Sequence, residues 1–83
     1  MLSFKKDVVY VELPNNATQK ELLQILSDEL KIKEKRFYGL DLKINGRITT
    51  GMCIMIGHKL SHICKTISIF DPKENEYVLC VQH

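Results

Sequence analysis

The stretch from Val8 to Leu30, VVYVELPNNATQKELLQILSDEL, decides the fold. Val8 to Leu13 is β-branched and apolar on both faces, the pattern of a strand covered on both sides. Pro14 and the Asn15-Asn16 pair end it. Thr18 followed by Glu21 is a capping box, in which the Thr18 hydroxyl accepts from the Glu21 amide. Leu22, Leu26 and Leu30 then recur at the helical period, so residues 19 to 31 are read as an amphipathic helix. A strand followed by a helix and then by another strand is the opening of a parallel crossover.

Downstream the pattern repeats. The charged segment Lys31–Arg36 is a solvated helix end. Leu40, Leu42 and Ile44 alternate with Asp41 and Lys43 as a half-buried strand, and Asn45-Gly46 turns the chain out of it. Thr49 or Thr50 caps a second helix whose apolar stripe is Met52, Cys53, Ile56, Leu60 and Ile63. Thr66 to Phe70 and Tyr77 to Val81 are two further strands, joined as an antiparallel hairpin through Asp71-Pro72-Lys73-Glu74-Asn75-Glu76. The expected fold is α/β, a small four-stranded mixed sheet in the order β-α-β-α-β-β, with one layer of helices or one helix on each face. Right-handed crossovers make the first three strands parallel.

Eighty-three residues give one continuous domain, 1–83, near the size at which burial alone stops sufficing, so self-association is the expected support. The longest apolar run, Met52 to Ile56, is far short of the ~20 residues of a bilayer span, and charges at Lys5, Lys6, Asp7 and Glu12 break any leader pattern. A net charge of +2 is too mild for a coat on duplex DNA, yet suits one small anionic ligand. Cys53, Cys64 and Cys80 are an odd set without CxxC spacing, read as reduced, buried thiols of a cytoplasmic protein.

Parallel sheets bind ligands beyond the carboxyl ends of their strands. Those ends carry Asn15 and Asn16, Asn45, Gly46 and Arg47, and Asp71 and Lys73. Free amides at the start of the second helix, near Thr49 and Thr50, add a place for phosphate, and Arg47 adds a planar fork for its oxygens. His58 and His62 stand four apart on the second helix and so share a face. They are open to three roles: metal ligation, proton transfer, or capping of the helix end. His83, the last residue, is not read as a ligand.

Taken together, residues 46 to 81 resemble the third family of CRISPR-associated ring nucleases. The features carrying the resemblance are Gly46-Arg47, His58 and His62 at the end of a helix, Asp71-Pro72-Lys73 closing a strand, and the hairpin after it. The resemblance implies a manganese-dependent accessory of type III CRISPR defence that linearises the second messenger cyclic tetra-adenylate, as dimers stacked head-to-tail around it. It also implies the family's alternative description, a deadenylating 3′ exoribonuclease acting on short oligoadenylate RNA. By that resemblance His62 and Asp71 fall on the catalytic and Mn²⁺-associated positions and Lys73 on a basic phosphate contact. Gly46-Arg47 fall on the turn before the helix, and His58 on an upstream histidine. The family has arginine where this chain has Lys73, and an aromatic that Ile48–Met52 lacks; both departures favour an alternative that sequesters the ring without cutting it and needs no metal. A plain interaction domain without a nucleotide ligand is a third alternative. With the second helix antiparallel to the strands, His62 and Asp71 are expected on the order of 15–20 Å apart in one subunit, so that they meet across a homodimer or tetramer, or else the helix ends sooner and a loop folds His62 back.

Overall fold

Three consecutive parallel strands and the two helices between them organise the computed structural model, which describes residues 1–82. The strands are β1 (Leu2–Lys5), β2 (Val8–Val11), β3 (Asp41–Gly46), β4 (Thr66–Asp71) and β5 (Glu76–Gln82). The helices are α1 (Gln19–Ile32) and α2 (Thr50–Leu60), and a 3₁₀ turn covers Glu34–Arg36. The sheet runs β1-β2-β3-β4-β5, antiparallel at its two outer pairs and parallel at the two inner ones. It therefore has five strands where the sequence reading has four. The additional one, β1, pairs Leu2 with Val11 and Lys5 with Val8 across a tight turn in which Lys6 has φ 59°.

Two crossovers that step across the sheet in the same direction, with the same hand, place both helices on one face. The burial pattern bears this out. Leu22, Leu26 and Leu30 from α1 and Met52, Ile56 and Leu60 from α2 are buried with Leu2, Val9, Val11, Leu42, Ile44 and Ile67 from alternate positions of the strands. The helices thus form a single layer, and the opposite face of the sheet carries none. Val8 to Leu13 is accordingly not covered on both sides: Val9 and Val11 are 2% exposed, while Tyr10 on the other face is 37% exposed.

Local chemistry explains the ends of the elements. The Thr18 hydroxyl accepts from the Glu21 amide at 3.2 Å while the Thr18 amide donates to the Glu21 carboxylate at 3.0 Å, a complete capping box. Strand β1 is fastened to α1 by the Leu2 amide donating to Glu29 Oε2 at 2.9 Å and by Lys33 Nζ donating to the Leu2 carbonyl at 3.2 Å. Phe37, which follows the 3₁₀ turn, is fully buried and meets the Phe4 ring at 5.3 Å, and the Arg36 guanidinium lies 4.0 Å above Phe4. Between β4 and β5 the register slips at Ile67/Ser68, which leaves Cys80 as the extra residue of a bulge. The cysteines are therefore not alike: Cys64 is buried, Cys53 half-buried and Cys80 exposed. Among the described residues, no helix is long and apolar enough to cross a membrane.

Gly46 ends β3 with φ 98°, and a Cβ there would press on the Val11 backbone, 2.9 Å from its nitrogen. Gly46→Ala should cost at least about 1–3 kcal/mol, read as a lower urea midpoint with an unchanged slope. A second test concerns the thiols. Burial pushes the Cys64 thiol up to about 11, so a thiol reagent at neutral pH should modify Cys80 first and Cys64 only at the rate of unfolding.

Candidate functional site

The topology divides the candidate residues between two ends of one sheet. At the carboxyl end of the parallel strands, Arg47 donates its amide to the Val11 carbonyl at 3.1 Å, which pins the end of β3 to the end of β2. Asn45 is held from two sides: its Oδ1 accepts from the Gly46 amide at 2.6 Å and its Nδ2 donates to the Tyr77 hydroxyl at 3.0 Å. Asp71 closes β4, and its Oδ1 accepts from the Lys73 amide at 3.0 Å, an Asx turn that shapes the hairpin. Gly46, Arg47, Lys73, Asn15 and Asn16 are exposed at this end, with Asn16 in a left-handed turn at φ 60°.

The start of α2 opens onto the same rim. Thr49 is its N-cap and its hydroxyl accepts from the Met52 amide at 3.2 Å. The Thr49 side chain is thus occupied as a cap and does not serve as a free ligand group. The amides of Thr50 and Gly51, at the first two helical positions, have no partner within the helix. The rim offers them together with two cations, Arg47 and Lys73, and the carboxylate of Asp71. That set suits a small anion carrying further polar groups.

The histidines lie at the other end. α2 stops at Leu60, so His62 is not on the helix with His58 but in the turn after it, which the Ile63 and Cys64 amides close by donating to the Leu60 carbonyl. That turn joins the amino ends of β3 and β4, since the Gly39 amide donates to the Ile63 carbonyl and the Lys65 amide to the Leu40 carbonyl. His58 and His62 are both exposed. Beside His58 a groove of about 390 Å³ runs between the ends of the two helices, with Lys31, Glu34 and Lys59 on its walls.

His62 and Asp71 are therefore separated by the length of β4, six residues at ~3.3 Å each. They do not meet in one chain. Among the described residues no three His, Cys, Asp or Glu side chains gather as a group that could hold a metal ion. His83 lies outside the described residues.

The sheet's uncovered face adds groups that the sequence reading does not count among the site residues. Asp7 receives Lys43 Nζ at 2.7 Å, and the Thr66 hydroxyl donates to Asp41 at 2.8 Å. Tyr77 packs edge-on against Phe70 at 5.3 Å. The signal for this face is the alternation of Val9 and Val11 with Val8 and Tyr10, which an all-apolar run conceals. Searches against protein-family models, curated proteins and solved structures find no match to this chain.

The hydrogen bond from Lys43 holds the Asp7 carboxyl below its ordinary 3.8, and the same bond raises Lys43 above its ordinary 10.5. The sign follows from linkage: the Asp7 contribution is complete above pH 3.8 and fades as pH falls through the lower folded value. The Lys43 contribution is complete below pH 10.5 and fades as pH rises through the higher folded value. Carboxyl NMR should find the Asp7 midpoint under 3.8, and Lys43→Met should move it upward.

Proposed function

We propose that this chain binds a cyclic oligoadenylate at the rim formed by Arg47, Asp71 and Lys73, and linearises it with His62 of a second copy stacked head-to-tail. One observation carries the reading: the phosphate-binding groups and the histidine stand at opposite ends of a single sheet. A head-to-tail stack sets the carboxyl end of one copy against the amino end of the next, which joins the two halves. The likeness of residues 46 to 81 to ring nucleases supports cyclic tetra-adenylate as the ring.

In that site the ribose 2′-oxygen attacks the adjacent phosphorus in line. Its proton passes to His62, the P–O5′ bond breaks on the far side of the phosphorus, and the 5′-oxygen takes its proton from solvent, to which His62 then returns the one it received. The products are a 2′,3′-cyclic phosphate and a 5′-hydroxyl. Arg47 and Lys73 stabilise the charge that grows on the phosphoryl oxygens, Arg47 with two parallel donors and Lys73 as a point charge. In the stacked site Asp71 of one copy and His62 of the next would be the residues to hold Mn²⁺, a carboxylate and imidazole pair suited to a first-row ion, and no step is routed through it.

A second reading, sequestration of the ring without cleavage, is favoured by Lys73 in the place of an arginine and by the absence of an aromatic from Ile48–Met52. Trimming of linear oligoadenylate is the remaining nuclease activity to compare. His62→Ala should lower ring cleavage by about 10²-fold or more while calorimetry shows retained ring binding. Mixing His62→Ala with Arg47→Ala, each inactive alone, should restore part of the turnover, because a stacked pair then contains one intact site. Turnover by His62→Ala at the unaltered rate would remove the catalytic assignment, and tight binding without product in the unaltered protein would select sequestration.

A further inference from the structure

Asn45 and Tyr77 are hydrogen-bonded at 3.0 Å although they do not stand on neighbouring strands. Asn45 belongs to β3 and Tyr77 to β5, and β4 lies between them. Two strand spacings are about 10 Å, so the two side chains reach toward each other across β4. They do so where Phe70 pairs with Tyr77 and meets its ring edge-on at 5.3 Å. Backbone ladders already join β3 to β4 and β4 to β5. The sheet does not need this bond in order to pair. Its consequence lies in the loops that leave the two strands.

The direction of the bond fixes those loops. The Gly46 amide can only donate, so the Asn45 side chain turns its oxygen toward it, at 2.6 Å. The amino group of Asn45 then points away, and the Tyr77 hydroxyl is its acceptor. Gly46 is held in turn at φ 98° against the Val11 backbone, and the Arg47 amide donates to the Val11 carbonyl at 3.1 Å. On the other side, Tyr77 stands one residue from the Asp71–Glu76 pair at the base of the hairpin, in which the Asp71 carboxylate accepts from the Lys73 amide. A line of contacts thus runs from Arg47 through Gly46, Asn45 and Tyr77 to Asp71 and Lys73. Among the described residues, no other side-chain hydrogen bond joins the two loops that carry the cations of the rim.

We propose that Tyr77 is a positioning residue of the rim, which acts through Asn45 to set where Arg47 stands relative to Asp71 and Lys73. The coupling of the two loops follows from the bonds themselves, while its use in holding a phosphate-bearing ring rests on the function proposed above.

Tyr77→Phe removes the acceptor and keeps the ring against Phe70. The first readout needs no ligand. In ¹⁵N spectra of the folded variant the Gly46, Arg47 and Lys73 amides should shift together, and Asn45→Ala should shift the same set. Amides of Leu26 and Leu30, in α1, should stay in place. The second readout is calorimetry with cyclic tetra-adenylate. Tyr77→Phe should weaken binding about 2- to 12-fold, the equivalent of one net hydrogen bond, and Asn45→Ala at least as much. Because Tyr77 acts through Asn45, adding Tyr77→Phe to Asn45→Ala should bring no further loss. Losses that multiply in the double variant overturn the relay. So does unaltered affinity in Tyr77→Phe together with a lowered urea midpoint, which marks a bond that only stabilises the fold. Arg47 and Lys73 amides that stay in place in Tyr77→Phe overturn the coupling whatever the ligand. If the unaltered protein does not bind the ring, the proposed function falls, and the amide shifts alone decide whether Tyr77 positions the two loops.

Discussion

Two crossovers of one hand, stepping in one direction across three parallel strands, constrain everything else in this molecule. They put α1 and α2 side by side on one face and leave the other face without cover. They send every strand-to-helix loop to one end of the sheet and every helix-to-strand loop to the other. The core is a consequence: the leucines of α1 and the Met52, Ile56 and Leu60 row of α2 close over alternate residues of β1 to β4. Gly46 makes the arrangement tight at the rim, because only a residue without Cβ allows β3 to end against Val11.

The same constraint sorts the chemistry. Polar groups in the loops after β2, β3 and β4 gather at the carboxyl end, where Thr49 spends its hydroxyl in starting α2 and Asp71 spends one oxygen in shaping the hairpin. His58 and His62, at the far end of α2, are carried to the opposite pole. A chain of this design carries the Arg47 and Lys73 cations at one pole and the imidazoles at the other, apart from each other within one copy. The sheet's bare face runs between the poles and brings the Phe70–Tyr77 pair up to the rim.

Much of this was legible in the residues. Thr18 and Glu21 announced α1, and the spacing of Leu22, Leu26 and Leu30 gave its inward face. The alternation of Leu42 and Ile44 with Asp41 and Lys43 gave β3 and its orientation. Other features carried too little signal. β1 is four residues long, and its alternation of Leu2 and Phe4 with Ser3 and Lys5 is obscured by the charges that follow. Val8 to Val11 is apolar throughout, so nothing in it says which side faces water. α2 ends without a proline or an asparagine, which let the pattern run on to His62 and Ile63. The bulge at Cys80 is a property of the pairing with β4, and Cys80 emerges exposed where its apolar neighbours suggested burial.

Whether the two poles of the sheet meet on one ligand can be read from amide chemical shifts as cyclic tetra-adenylate is added to the uniformly ¹⁵N-labelled protein. The stacked arrangement requires perturbation at both poles, in Asn45 to Thr50 and Asp71 to Lys73 at one end and in Ser61 to Lys65 at the other. The amides of Val9, Leu42 and Ile67 in the middle of the sheet should stay largely still. Perturbation confined to one pole, or none at all, would contradict a site built from two copies.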